Sequence, residues 1–259
     1  MAVKVIYASD LDNTLIFSEE FAQKNNSETE NEIVDTYKTG HSVMSKAVRN
    51  KLRSLTENKS LQFVPVTTRD DKQYKRVNLG VKPEYAIVAN GGIILHNGEP
   101  IEEWTDYVMS KFNYLEAMQI LSDLDTEFES IENYAKVVNG CFLMFKISKP
   151  TTYDVEIEHM VEFYKDWQFV RQGNKGYAFP KHFSKQIALR WLWNILEKPY
   201  IVASGDSELD IPMLAIANRA IVPKHSSLFK DGYIESCTVA NGGINSPLET
   251  MEFVEKALK

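Results

Sequence analysis

Residues 4–15, Lys-Val-Ile-Tyr-Ala-Ser-Asp-Leu-Asp-Asn-Thr-Leu, constrain this chain more than any other stretch. An apolar run, Val5 to Ala8, stops at Ser9 and gives way to two carboxylates one residue apart, Asp10 and Asp12. That pattern predicts a buried strand whose carboxyl end opens into an acidic turn. In an open parallel sheet, ligands bind at that edge, because loops and helix N-termini converge there. Carboxylates so close repel one another unless a positive group sits between them, and a divalent ion such as Mg²⁺ would serve. An EF-hand is excluded, since Leu15 and Phe21 stand where its loop needs Gly and Glu.

The same grammar recurs downstream. Leu61 to Val66 is a second apolar strand, ending in Thr67-Thr68-Arg69-Asp70. Thr67 is placed to donate its hydroxyl to an anion, with the N–H groups of a helix from Asp70 to about Val77 behind it. A helix predicted from Ser184 carries Lys185 in its first turn and has Ile187, Trp191 and Ile195 as its apolar face. A cation there opposes the helix dipole, so an anionic partner would explain its presence. Finally Tyr200 to Ala203 runs into Ser204-Gly205-Asp206, and a second acid, Asp210, follows four residues on, where a helical turn returns to the same face.

Between these stretches the elements change character. Residues 23–32 are polar and aperiodic and read as a loop, and Ile33 to Val43 reads as a hairpin placed to act as a flap. Tyr85 to Pro100 gives short strands with an Asn97-Gly98 turn, preceded by Asn90-Gly91-Gly92, whose Asn90 could face a ligand or serve a turn with positive φ. From Trp104 to Leu121 the apolar spacing predicts one long helix. Strand-like Cys141–Ile147, ended by Lys149-Pro150, then a helix over Val155–Lys165 and two further strands complete an α+β insertion.

Taken in order, these stretches resemble the four motifs of the haloacid dehalogenase-like phosphohydrolases, in the branch with a large α+β cap between the second and third motifs, which includes sugar and sucrose phosphatases. Asp10-Leu11-Asp12-Asn13-Thr14 is similar to the first motif, Thr67 to the second, Lys185 to the third and Gly205-Asp206 with Asp210 to the fourth. One departure is Leu209, where many relatives have Asn. The resemblance implies a doubly wound, mainly parallel α/β core of Rossmann type from 1–102 and 181–259, with a cap over 103–180. It implies a phosphatase acting on a small phosphate monoester, such as a sugar phosphate, through an aspartyl-phosphate. Asp10 would be the nucleophile and Asp12 the general acid and base. Mg²⁺ would be held by Asp10, the Asp12 main-chain carbonyl and Asp206, with Asp210 binding directly or through water. Thr67 and Lys185 would hold the phosphoryl group.

Two other readings stay open at this point. A phosphomutase differs by not releasing inorganic phosphate to water. A receiver-type signalling domain also gathers acids, a Thr and a Lys at strand ends, although such domains are about half this length and carry their acceptor on a later strand. The composition is that of a globular chain: 259 residues, 44% hydrophobic, 25% charged, net charge -7. This acidity provides no field for nucleic acid or an anionic membrane, so any phosphate site must be built locally; the partner that the resemblance implies is a small phosphorylated metabolite. Cys141 and Cys237 form no disulfide framework, and neither a leader nor a spanning segment is legible, so a cytoplasmic location is expected.

Overall fold

The structure, a computed structural model, describes residues 2–25, 30–128, 131–147, 154–230, 232 and 237–259. The chain divides into two compact units, one of residues 1–100 with 185–259 and one of 101–184.

The first unit begins with β1 (Val5–Ser9), every residue of which is buried. A tight turn leads to β2 (Phe17–Ser18) and α1 (Glu19–Asn25), after which β3 (Asn31–Tyr37) and β4 (Gly40–Ser45) pair antiparallel. The predicted hairpin is therefore present. The loop expected over 23–32 is shorter than that, because helix continues to Asn25 and strand resumes at Asn31; residues 26–29 of that expectation lie outside the described residues. Ser45 caps α2 (Lys46–Thr56), accepting from the Val48 N–H. Then come β5 (Leu61–Pro65) and α3 (Asp71–Lys75), the latter opened by a capping box between Asp70 and Gln73. Next, β6 (Tyr85–Val88), β7 (Ile93–His96) and β8 (Glu99–Pro100) form an antiparallel meander. Asn97 and Gly98, both at positive φ, make its second turn, as the Asn-Gly pair predicts.

The second unit holds α4 (Glu102–Lys111), α5 (Tyr114–Glu127), β9 (Ile131–Val138), β10 (Phe142–Ile147), α6 (Asp154–Phe163), β11 (Trp167–Gln172) and β12 (Lys175–Pro180). Its four strands pair antiparallel in the order β11-β12-β10-β9. The single long helix expected from Trp104 is two helices. Phe112 takes extended backbone, and the Asn113 side chain caps the next helix by accepting from the Glu116 N–H. The break resets the buried face: Ala117, Ile120 and Leu124 enter the core of this unit, while Leu115 is 82% exposed. The strand end expected at Lys149-Pro150 lies outside the described residues.

The chain returns to the first unit with α7 (Lys185–Ile195), β13 (Tyr200–Ser204), α8 (Ile211–Leu214), β14 (Arg219–Pro223), α9 (Ser227–Lys230), β15 (Thr238–Ala240) and α10 (Ser246–Leu258). Five strands form one parallel sheet in the order β15-β14-β13-β1-β5. Val5, Tyr7, Val202 and Ile221 of this sheet pack with Val48 and Leu52 of α2 and Met251 and Val254 of α10, which cover one face. Outside that cluster, α7 packs on α8, and α8 on β13 and β14. This is the doubly wound, mainly parallel α/β core that the sequence predicts, with an α+β unit inserted between its halves. Among the described residues no helix is long and apolar enough to cross a membrane.

α7 does not present the expected face. Lys185, Ala188, Leu189 and Leu192 are buried, whereas Ile187 and Trp191 are half-buried and Ile195 is exposed. The reason lies in the site: an ion-paired lysine points inward, and the positions three, four and seven residues on follow it.

Candidate active site

β1 lies between β13 and β5, so Asp10, the residue that follows it, has a neighbouring strand end on either side. The Asp10 N–H donates to the Ser204 carbonyl (2.9 Å), and the Val66 N–H donates to the Ser9 carbonyl (2.8 Å), which ties the three strand ends together. Beyond Asp10 the chain turns sharply. The N–H groups of Thr14, Leu15 and Ile16 converge on the Leu11 carbonyl, and Asn13 takes a left-handed backbone. His225 braces this turn, with Nε2 2.7 Å from the Asn13 carbonyl while the Gly243 N–H donates to Nδ1. Since Nδ1 accepts, the ring hydrogen is on Nε2 and donates to Asn13.

Lys185 reaches the same point from the start of α7. Its ammonium, 1% exposed, donates to Asp10 Oδ1 (2.7 Å) and Asp210 Oδ1 (2.6 Å). Asp210 is saturated, because its Oδ2 also accepts from the Asp206 N–H, the Ser207 N–H and the Ser207 hydroxyl. Asp206 Oδ1 lies 3.5 Å from the Thr14 hydroxyl. Ligand atoms of Asp10, Asp206 and Asp210 all fall within 4.8 Å of one another.

Three buried carboxylates thus face one buried ammonium, leaving excess negative charge in a medium that solvates it poorly. Burial, reinforced by repulsion from Asp210, raises the Asp10 carboxyl above the usual carboxylate range despite Lys185. Burial followed by repulsion from Asp10 and Asp210 does the same to Asp206. Burial alone would lower the Lys185 ammonium, but Asp10 and Asp210 outweigh it and the net direction is upward. An excess of oxygen donors and negative charge in this set fits a hard divalent cation.

Thr67, fully buried, lies one strand over. Its N–H donates to the Ile87 carbonyl, and its hydroxyl oxygen accepts from the Arg69 N–H (3.2 Å), which leaves the hydroxyl hydrogen to be donated elsewhere. Asp12 stands apart from the carboxylate cluster. Its side chain, half exposed, is gripped by the Arg69 fork: Nε to Oδ2 at 2.8 Å and Nη2 to Oδ1 at 2.7 Å. Arg69 also donates through Nη1 to Asp35 (2.6 Å) and through Nη2 to the Ser42 hydroxyl, so the Asp12 carboxylate is tied to the β3–β4 hairpin. Asp35, nearly fully buried, takes a second arginine, Arg76, at 3.2 Å. Burial opposes ionisation of Asp35, yet the two arginines hold its carboxyl below the usual range.

Sequence reasoning missed Arg69 and Asp35. For Arg69 a signal existed, in that it follows the hydroxyl pair at a strand end. Asp35 carried none: a register shift between Ile33 and Asp35 breaks the alternation of β3, so Val34 and Asp35 are both buried.

The parallel core with its inserted α+β unit has the haloacid dehalogenase-like fold. Among solved structures, sucrose-phosphatase from Synechocystis aligns with 98% of this chain and 99% of its own, at a TM-score of 0.69 and 15% identity. A phosphatase of the haloalkanoate enzyme superfamily from Bacteroides thetaiotaomicron aligns with 99% of this chain and 95% of its own, at a TM-score of 0.67 and 17% identity. A subclass IIB sugar phosphatase of the same superfamily aligns with 99% of this chain and all of its own (100%), at a TM-score of 0.63 and 12% identity. No protein-family model matches the sequence, and no curated protein matches it significantly.

Proposed function

We propose that this protein is a divalent-cation-dependent phosphatase that hydrolyses small phosphate monoesters, sugar phosphates foremost, through an aspartyl-phosphate. The observation that carries this reading is the buried Asp10–Lys185–Asp210 constellation at the carboxyl edge of the parallel sheet, with Asp206 beside it and Thr67 at the end of the adjacent strand. The sugar-phosphate preference is supported by the names of the sucrose and sugar phosphatases that share the fold.

Lys185 engages only one oxygen of Asp10, and Oδ2 has no hydrogen-bond partner among the described residues, so it is the atom available for attack. In the first step Oδ2 forms a bond to phosphorus as the bond to the alcohol oxygen breaks, and Asp12 gives that oxygen its proton. In the second step water attacks the same phosphorus, its proton passes to Asp12, and the Asp10 carboxylate is restored. Alcohol and inorganic phosphate leave. Thr67 and Lys185 donate to phosphoryl oxygens, and Arg69 orients Asp12 through one oxygen while it releases the other to carry the proton.

Asp10 and Asp206, with the Asp12 main-chain carbonyl, would hold Mg²⁺, and Asp210, with both oxygens engaged, would act through Lys185 or a water. When bound, the ion would offset the repulsion between an anionic nucleophile and an anionic ester. The test is a panel of phosphate esters assayed with and without Mg²⁺. Asp10→Asn should abolish phosphate release, and Asp12→Asn should lower it by about 10² to 10⁴. Near-wild-type turnover in either variant would refute the assignment.

A further inference from the structure

Beside the phosphoryl site, Ala89, Asn90 and Gly91 form a turn that belongs to the same sheet edge. β6 extends the parallel sheet through a bridge between Val66 and Ile87. Past the end of β6 the Ala89 N–H donates to the Arg69 carbonyl (2.7 Å) and the Asn90 N–H to the Thr67 carbonyl (3.0 Å). On its other side the turn packs against α7, the helix that begins with Lys185. Asn90 therefore lies between the elements that supply the two expected phosphoryl donors.

Two features of this turn are unusual. Ala89, Asn90 and Gly91 all have positive φ, at 52°, 55° and 98°. Such backbone is uncommon for alanine and persists where its surroundings impose it, often at ligand sites. The second feature is the Asn90 side chain. The residue is 5% exposed, and its Oδ1 is buried with no hydrogen-bond partner among the described residues. Glycine would satisfy the backbone here with less strain. A buried amide oxygen without a donor is costly, and it points to a group supplied from outside the chain.

The chemistry of that group follows from the atom. An amide oxygen accepts only. Ester phosphoryl oxygens at neutral pH are acceptors too, and they already face the donors Thr67 and Lys185. The missing partner is therefore a donor on the other half of the ester. We propose that Asn90 is a specificity-determining residue that accepts a hydrogen bond from a hydroxyl on the alcohol portion of the substrate, selecting polyol and sugar phosphates over esters without hydroxyls. This assignment rests on the phosphatase reading above and deepens it.

Asn90→Gly tests it, because glycine keeps the left-handed backbone and removes only the amide. Wild type and variant are compared on glucose 6-phosphate, glycerol 3-phosphate and p-nitrophenyl phosphate, with inorganic phosphate as a product inhibitor and a thermal melt to check folding. The expected result is a fall in kcat/KM of about tenfold to a hundredfold on the hydroxyl-bearing esters. The p-nitrophenyl ester and the inhibition constant for inorganic phosphate should change by less than about twofold. Equal losses on all three esters and on phosphate inhibition would overturn the proposal in favour of a phosphoryl or structural role, and no change on any ester would overturn it outright. Wild-type turnover of the p-nitrophenyl ester alone sinks the Asn90 assignment and leaves the phosphatase reading standing. Turnover of none of the three brings down both.

Discussion

Replacing Lys185 by methionine removes the cation that pairs with buried Asp10 and Asp210 while nearly preserving volume. The ammonium, 1% exposed, bonds Asp10 at 2.7 Å and Asp210 at 2.6 Å, so its loss strands two charges. Breaking a buried pair from one side costs about 3–5 kcal/mol. Here the lower part of that range applies, about 3–4 kcal/mol, because Asp210 keeps three donors on its other oxygen and Asp10 can relieve itself by taking up a proton. For a chain of this size that corresponds to a fall in Tm of roughly 10 °C. The proton route makes the penalty pH-dependent. Burial and Asp210 already hold the Asp10 carboxyl above its ordinary value, and without Lys185 it rises further. A carboxyl whose folded pKa lies above its unfolded one retains a proton that the unfolded chain has released, so stability falls as pH rises through that interval. Lys185→Met should therefore be most damaging above neutrality and approach wild type near pH 5. Urea unfolding without divalent cation, run at about pH 5.5 and pH 8, measures both quantities. A deficit under about 1 kcal/mol, or one that does not change with pH, would refute the electrostatic account.

The same sign governs metal. Since Asp10 and Asp206 are both raised, the wild-type protein without divalent cation should lose stability as pH climbs above the ordinary carboxylate range, and Mg²⁺ should raise Tm more at pH 8 than at pH 5.5, reversibly with EDTA. Gly205→Ala would place a Cβ 2.4 Å from Asp210 Cβ and 2.6 Å from its Cγ, so Asp210 must shift off Lys185; stability should drop by about 1–3 kcal/mol and activity with it, as read by melting and phosphate release. Arg69→Met leaves buried Asp35 with Arg76 alone and frees Asp12, which should cost about 2–3 kcal/mol and lower kcat, and Arg69→Lys should rescue neither because a single ammonium cannot replace the fork.

The parallel core was readable because its strands are short apolar runs that end abruptly in chemistry-bearing residues, a pattern that survives without tertiary information. Lys185 and Asp10, 175 residues apart in the chain, meet at one ion pair in the structure. The helices were read less well, and for one reason. Periodicity sorts residues by hydropathy, so it places Leu115 and Ile195 inward, whereas a cap at Asn113 in the first case and the inward turn of the ion-paired Lys185 in the second leave both exposed.

What the sequence determined by itself is which residue types stand at the ends of which strands, since local runs of apolar residues set strand boundaries and a parallel sheet carries those boundaries to one edge. Only the tertiary structure decided which charges meet there. It gave Asp12 to Arg69 rather than to the carboxylate cluster, buried Asp35 through a bulge, and left the Asn90 amide oxygen without a hydrogen-bond partner among the described residues. Those outcomes depend on register and on distances between residues remote in the chain, and neither is encoded in any single stretch.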